Sequence, residues 1–354
     1  MTIFLYFHAF IEQKTSFKQQ YSMKSILRSK IAEGKSGLVF YSLTPPKITT
    51  EAERIEAISG NQIQRLKNLD VDGLILYDIQ DESLRTEKER TFSFIPTLAP
   101  EHYSKQYLAQ LDIPKIIYKS IANQSREQFA GWLQQNQDIE CAVFVGASSH
   151  QQVAATNFSL TDAYQLKKES GYPFMLGGVT IPERHSKKGD EHLRMFSKMN
   201  NGCSFFVSQC VYNLNDTKNL LSDYYYSAAE AGNSLAPIIF TLAPCGSLKT
   251  LQFMEWLGIE VPKWLYNDLK HSKDILESSI STATKIAAEI LNYAQAKNIP
   301  VGFNIESISI KKEEINAAQE LLNNVLSLLR PKKQPASTDA AVIAAQSPLT
   351  ASFQ

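Results

Sequence analysis

SGLVFYSLTPPKITTEAERIEAISGNQIQRLKNLDVDGLILYDI, residues 36–79, is the unit whose reading decides the fold. It opens with an apolar and aromatic run of strand length, SGLVFYSL, which Thr44, Pro45 and Pro46 then stop because proline has no N–H to give to a ladder. Thr49 is placed to cap the acidic start that follows. Ile55, Ile58, Ile63 and Leu66 recur at helical spacing, which gathers the apolar surface on one side. VDGLILYDI closes the unit as a second buried strand. Two apolar strands joined by an amphipathic helix predict a parallel sheet with the helix as its crossover.

The same rhythm continues along the chain. IPKIIYKS, IECAVFVGA, YPFMLGGV, CSFFVSQCVY, LAPIIFTL and IPVGFNIESISI read as strands, and SREQFAGWLQQ, TDAYQLKKES, DEHLRMFSKMNNG, NLLSDYYYSAAEAG and ILESSISTATKIAAEILNYAQAK read as helices between them. Eight strands with helical returns predict an α/β fold, a (β/α)8 TIM barrel built as a single domain over residues 23–330. An open dinucleotide-binding sheet fits less well: no GxGxxG turn joins a strand to a helix, and VGASS after the fourth strand lacks that spacing and a Walker lysine. KKEEINAAQELLNNVLSLL is expected to be the closing helix.

Residues 331–354 turn to proline, serine, alanine and threonine without periodicity, the composition of a disordered tail. Residues 1–22 read as an N-terminal extension, with Met23 an alternative start. The extension has no basic region or small-residue cleavage site and is too short to span a bilayer.

The 36 basic and 36 acidic side chains cancel, which argues against an extended nucleic-acid surface. Cys141, Cys203, Cys210 and Cys245 lack the close pairs of a structural zinc site and suit buried thiols in a reducing compartment. The expectation is a cytoplasmic protein without nucleic-acid or membrane partners, for which a homo-oligomer remains open.

Barrel chemistry gathers where the strands end, so the candidates are positional as well as chemical. Gln209 can donate and accept at once and suits the alternating polar edge of a pterin or nucleobase; its ordinary role is a strand-end hydrogen bond. His185, beside Glu183 and Arg184, can hold an anion or carry a proton, and otherwise is a loop histidine. Lys198 can meet a phosphate if its helix turns its polar side to the mouth. Asp78, Asp81 and Glu82 form an acidic group after the second strand, with Arg85 and Lys88 near enough for a purely structural explanation. His150 and His185 fall in no metal motif, and the adjacency of Ser148, Ser149 and His150 does not make a nucleophilic triad. No metal site is expected.

FYSLTPPK at residues 40–47, GGVTIPERH at 177–185 and KMNNGCSFFVSQCVYN at 198–213, with APIIFTL and VGFNIES beyond them, together resemble the methylenetetrahydrofolate reductase family over residues 24–328. The resemblance implies a barrel mouth that holds FAD, which passes a hydride from NAD(P)H to a reduced folate, 5,10-methylenetetrahydrofolate. It implies cofactor contacts at His185, Glu191, Lys198 and Gly146, and a folate contact at Gln209.

The chain departs from the family pattern at several places. The first-strand glutamate that serves as the acid is matched by Ser42, which leaves Ser42 as a substrate contact and Asp78 or Glu82 as the residues to take over the acid role. FVGA at 144–147 stands where the family has an arginine and an acid, Ile181 replaces a tyrosine, and IIYKS carries no histidine. A serine hydroxyl is far too weak an acid to replace a tuned carboxyl. The expected function is therefore a reductase-like oxidoreductase, with flavin-independent methyl transfer or demethylation, or a noncatalytic folate-binding barrel, as alternatives.

Overall fold

The computed structural model describes residues 26–81, 93–146 and 157–330. The extension, the tail, and the loop positions Glu82, Arg85, Lys88, Ser148, Ser149 and His150 fall outside these residues. Eight parallel strands close on themselves in sequence order. They are β1 (Val39–Leu43), β2 (Gly73–Leu76), β3 (Lys115–Ser120), β4 (Cys141–Val145), β5 (Met175–Thr180), β6 (Cys203–Cys210), β7 (Ile238–Leu242) and β8 (Val301–Ile305). Each lies in one of the apolar runs read as strands. The barrel shuts where Val39, Phe40 and Tyr41 pair with Phe303, Asn304 and Ile305.

The helices that sheathe it are α1 (residues 26–32), α2 (Ala52–Leu66), α3 (Pro100–Gln106), α4 (Arg126–Gln135), α5 (Leu160–Ser170), α6 (Pro182–Lys188), α7 (Glu191–Asn200), α8 (Leu214–Ala231), α9 (Leu248–Trp256), α10 (Lys263–His271), α11 (Ile275–Gln295) and α12 (Lys312–Leu329). Thr49 does not cap α2. Glu51 holds the N-cap position without a side-chain bond, because the chain first turns through Thr50 N–H to Lys47 O at 3.0 Å and the helix begins one step later. Serine caps with reciprocal side-chain bonds do open α4 and α5, at Ser125 and Ser159. None of the described helices is long and apolar enough to cross a membrane. All four cysteines are free and buried.

Strand parity divides the core in two. Val39, Tyr41, Leu74, Leu76, Phe240 and Phe303 face outward into the helical layer. Phe40, Ile75, Ile116, Val143, Phe205 and Ile239 fill the lumen. Large rings there stand over missing side chains: a Cβ on Gly177 would lie 2.5 Å from the Phe205 ring, and one on Gly73 3.0 Å from Phe40. Helix α1 stops the lower end, where Leu27 and Ile31, one turn apart, join the lumen cluster. Asp72 ties that end together by accepting Val39 N–H at 2.8 Å and pairing with Lys30 at 2.5 Å and Arg330 at 3.7 Å.

Gly302 sets how closely β8 can approach β1. A Cβ there would stand 2.4 Å from the Leu38 carbonyl oxygen and 3.0 Å from Ile239 Cδ1. Because the nearer atom is backbone, rotamer change cannot relieve the clash. Gly302→Ala should therefore destabilise the fold by about 1–3 kcal/mol, the usual cost of overpacking. Urea unfolding measures this, and an unchanged midpoint would contradict the closure described.

Candidate functional site at the barrel mouth

The inward positions change from apolar to polar toward the C-terminal ends of the strands. Ser42 on β1, Thr241 on β7 and Asn304 on β8 are all buried there. Asn304 is the hub. Its Oδ1 accepts the Ser42 hydroxyl at 2.6 Å, while its Nδ2 donates to Tyr77 Oη at 2.9 Å and to Thr241 Oγ1 at 3.2 Å. Thr241 N–H donates to Ser208 Oγ at 2.9 Å, which carries the chain of bonds to β6. Tyr77 meets Tyr118 edge to face at 4.9 Å. One amide thus links the first, second, seventh and eighth strands in an interior where each unpaired group would cost about 1–3 kcal/mol.

Glu306 lies two residues past Asn304, on the same side of the strand by parity. The register that sets Tyr41 opposite Ile305 brings it alongside Ser42. Burial pushes its carboxyl up to about 7, opposed by a hydrogen bond from Tyr77. Its charge in turn helps burial to raise the Tyr77 and Tyr118 hydroxyls and the Cys210 thiol above their ordinary values. Cys210 also feels Glu183. Glu183, in the first turn of α6, is itself raised to about 7, by burial first and by the charges of Asp216 and Glu260.

The residues singled out from sequence separate into those at the mouth and those used behind it. Ser42 is at the mouth, but its hydroxyl is committed to Asn304. Gln209 is half-buried at the end of β6 and donates from Nε2 to the Leu257 carbonyl at 2.7 Å, the strand-end bond of the ordinary reading. Asp78 accepts Ser120 N–H at 2.8 Å and so pins β2 to β3; burial raises its carboxyl, against that bond and Lys119. A Cβ at Gly146 would meet only Leu160, at an ordinary 3.7 Å, so packing does not require glycine there.

Glu191 is fully buried. It accepts Ile181 N–H at 3.0 Å and pairs with Arg184 at 3.1 Å and Arg194 at 3.5 Å. Lys198 donates to the Val179 carbonyl, and its desolvation lowers the ammonium from its usual range. His185 is buried against Asp223 of α8 at 3.1 Å. The resemblance assigns these three side chains to FAD, yet each is engaged in fixing α6 and α7 to the barrel wall, to each other or to α8. They do not fit a flavin in this arrangement.

Sequence reading passed over Asn304 and Glu306, although VGFNIES contained the signal: two polar residues at alternate positions ending an apolar strand. A separate groove of about 890 Å³ lies beside the rim, between the start of α8, α10 and α11, with Tyr212, Asn213, Trp264 and Lys285 in its lining.

This geometry defines a closed (β/α)8 barrel whose mouth carries a desolvated acid. Among solved structures, an uncharacterized protein from Clostridium thermocellum that binds two copies of 5-methyl-5,6,7,8-tetrahydrofolic acid is 42% identical, with a TM-score of 0.75, over 84% of this chain and 98% of its own. The chain belongs to the family of that Clostridium thermocellum protein. A 2,3-dimethylmalate lyase of the PEP mutase/isocitrate lyase superfamily also aligns, over 85% of this chain and 94% of its own, but at 11% identity and a TM-score of 0.40 it is too distant to inform the site. No family model and no curated protein matches the chain.

The acid at the mouth has a signature in stability. Glu306, at about 7 when folded and about 4.3 when unfolded, holds its proton more tightly in the native state. Its contribution is intact below the unfolded value and is lost as pH rises through 7. Glu306→Gln should remove that loss, so the stability of the native protein relative to the variant should fall by about 3–4 kcal/mol between about pH 4 and pH 8. Urea titrations across that range measure it; a difference that stays flat contradicts the desolvated carboxyl.

Proposed function

We propose that this protein binds a reduced folate of the 5-methyltetrahydrofolate type in the mouth of its barrel, and that Glu306 handles the proton at the pterin N5 during one-carbon chemistry that needs no flavin. The single observation that carries the reading is a carboxyl at about 7, hydrogen-bonded into the polar layer of the mouth, in a chain whose relative binds that folate.

When a methyl group leaves N5 for a nucleophile, the electron pair left on nitrogen takes up a proton. A donor whose pKa lies near the working pH is present in both forms and is best poised to supply it. Ser42 lacks that capacity, and Asp78 is tied to Ser120. Glu306 thus supplies the acid that the first strand lacks. Tyr77, itself held by Asn304, hydrogen-bonds Glu306, and the Tyr118 ring beside Tyr77 offers an aromatic surface to a pterin.

Gln209 supports the same ligand. With Nε2 held by Leu257, its carbonyl oxygen is oriented as an acceptor for the donors on the pterin edge. The groove beside Trp264 is of ligand size and offers a place for a second copy. The methyl acceptor in this reading is a nucleophile that enters the same mouth.

Calorimetric titration with 5-methyltetrahydrofolate tests the proposal. The native protein is expected to bind saturably, and Gln209→Leu to weaken binding by about tenfold or more, the cost of about one lost hydrogen bond to a buried polar edge. Glu306→Gln should retain binding yet lose methyl transfer by roughly 10²- to 10⁴-fold. Absence of folate binding, or full turnover by Glu306→Gln, would overturn the reading.

A further inference from the structure

Behind the mouth, His185 on α6, His192 on α7 and Asp223 on α8 converge, each bringing one donor atom to within 4.8 Å of the other two. The histidines are buried, with 4% and 8% exposure, and their rings meet edge to face at 5.3 Å. His185 Nε2 lies 3.1 Å from Asp223 Oδ2. The Nδ1 atoms of both rings are buried with no hydrogen-bond partner among the described residues. Leaving a buried polar atom unpaired costs about 1–3 kcal/mol, so the orphaned His192 Nδ1 calls for a partner, while His185 turns its other nitrogen, Nε2, toward Asp223.

We propose that His185, His192 and Asp223 form a binding site for a divalent transition metal ion, of which Zn²⁺ suits the donors best. Imidazole nitrogen with one carboxylate oxygen is a donor set that zinc takes at about 2.0–2.2 Å, which sets neighbouring donors of a tetrahedron about 3.4 Å apart. The His185–Asp223 separation of 3.1 Å already lies near that edge length. The remaining donor pairs, all within 4.8 Å, need to close by at most about 1.4 Å, within the reach of side-chain rotation.

The surroundings favour a cation. Asp190 lies close enough to His192 to act on it electrostatically, and its Oδ1 is buried without a partner among the described residues. Asp223 is 54% exposed and gives the ion a way in, with room for water as the fourth ligand. Helix packing closes the other sides, which suits four-coordinate zinc rather than an octahedral centre with several open positions.

The sequence shows no metal motif because the three donors come from three separate helices. A bound ion would join three helices, and through α6 it would fix Glu183 at the rim of the mouth. The site involves none of Ser42, Gln209, Asn304 or Glu306, so it stands or falls separately from folate binding.

The test uses the full chain stripped with a chelator and titrated with Zn²⁺ in competition with a chromophoric chelator, and in parallel with Co²⁺ followed by its visible absorption. The expected result is one tightly bound ion per chain, tetrahedral cobalt bands and a raised Tm. Asp223→Asn, a change at a half-exposed position that the fold tolerates, should weaken zinc by tenfold or more, as should His192→Gln. Folate affinity, measured on the same samples, should remain within twofold in Asp223→Asn. Failure of the native protein to bind zinc saturably, or equal zinc affinity in Asp223→Asn and native protein, would overturn the proposal.

Discussion

The alternation of β8 is the constraint on which the rest depends. Three of its inward positions are Gly302, Asn304 and Glu306, and they follow one another from the floor of the lumen to its mouth. Gly302 admits the Leu38 carbonyl and lets the last strand close on the first. Asn304 then joins strands from both sides of that seam by three hydrogen bonds. Glu306, carried two residues further, lands among aromatic side chains that deprive its carboxylate of water. A shift of one residue would turn all three outward and put Phe303 and Ile305 in the lumen.

In the proposed reading, the acid stands on the strand next to the one where the resembled pattern has it. Ser42 and Glu306 occupy adjoining strand ends, so a proton donor at either place reaches the same space. Electrostatics separates the two arrangements. Glu306 lies at the polar layer of the mouth with the Tyr77 hydroxyl as its hydrogen-bond donor, and desolvation dominates its proton affinity. By contrast, Glu191 is buried with two guanidinium partners and remains a structural tie. The two carboxylates thus differ in their partners: two guanidinium groups beside Glu191, a phenol hydroxyl beside Glu306.

The fold was legible because burial on both faces of each strand leaves long apolar runs, and because Pro45, Pro46 and the capping serines punctuate them. The site was legible only in part. Gln209 stands at a strand end as its position implied, and Ser42 lines the mouth. The resemblance implies cofactor contacts at His185, Glu191 and Lys198; sequence gives their order but not their orientation, and in the fold they meet Asp223, Arg184 and the Val179 carbonyl. Asp78 was read as an acid, but its backbone bond to Ser120 is a matter of strand register. Glu306 was hidden because its meaning depends on closure: only when β8 meets β1 does its parity place it beside Ser42. A fold does not by itself fix the site it carries, so the group at the mouth is visible only once the barrel is assembled.

The central claim is that Glu306 is the near-neutral acid of the mouth and that the folate sits against it. Carbon-detected NMR of protein labelled at glutamate side-chain carboxyls, titrated with and without 5-methyltetrahydrofolate, tests it most directly. A resonance that titrates near 7, is absent from Glu306→Gln and shifts on adding the folate is the predicted result. Titration of the Glu306 carboxyl in the ordinary carboxylate range, or a near-neutral Glu306 signal indifferent to the folate, would contradict the account.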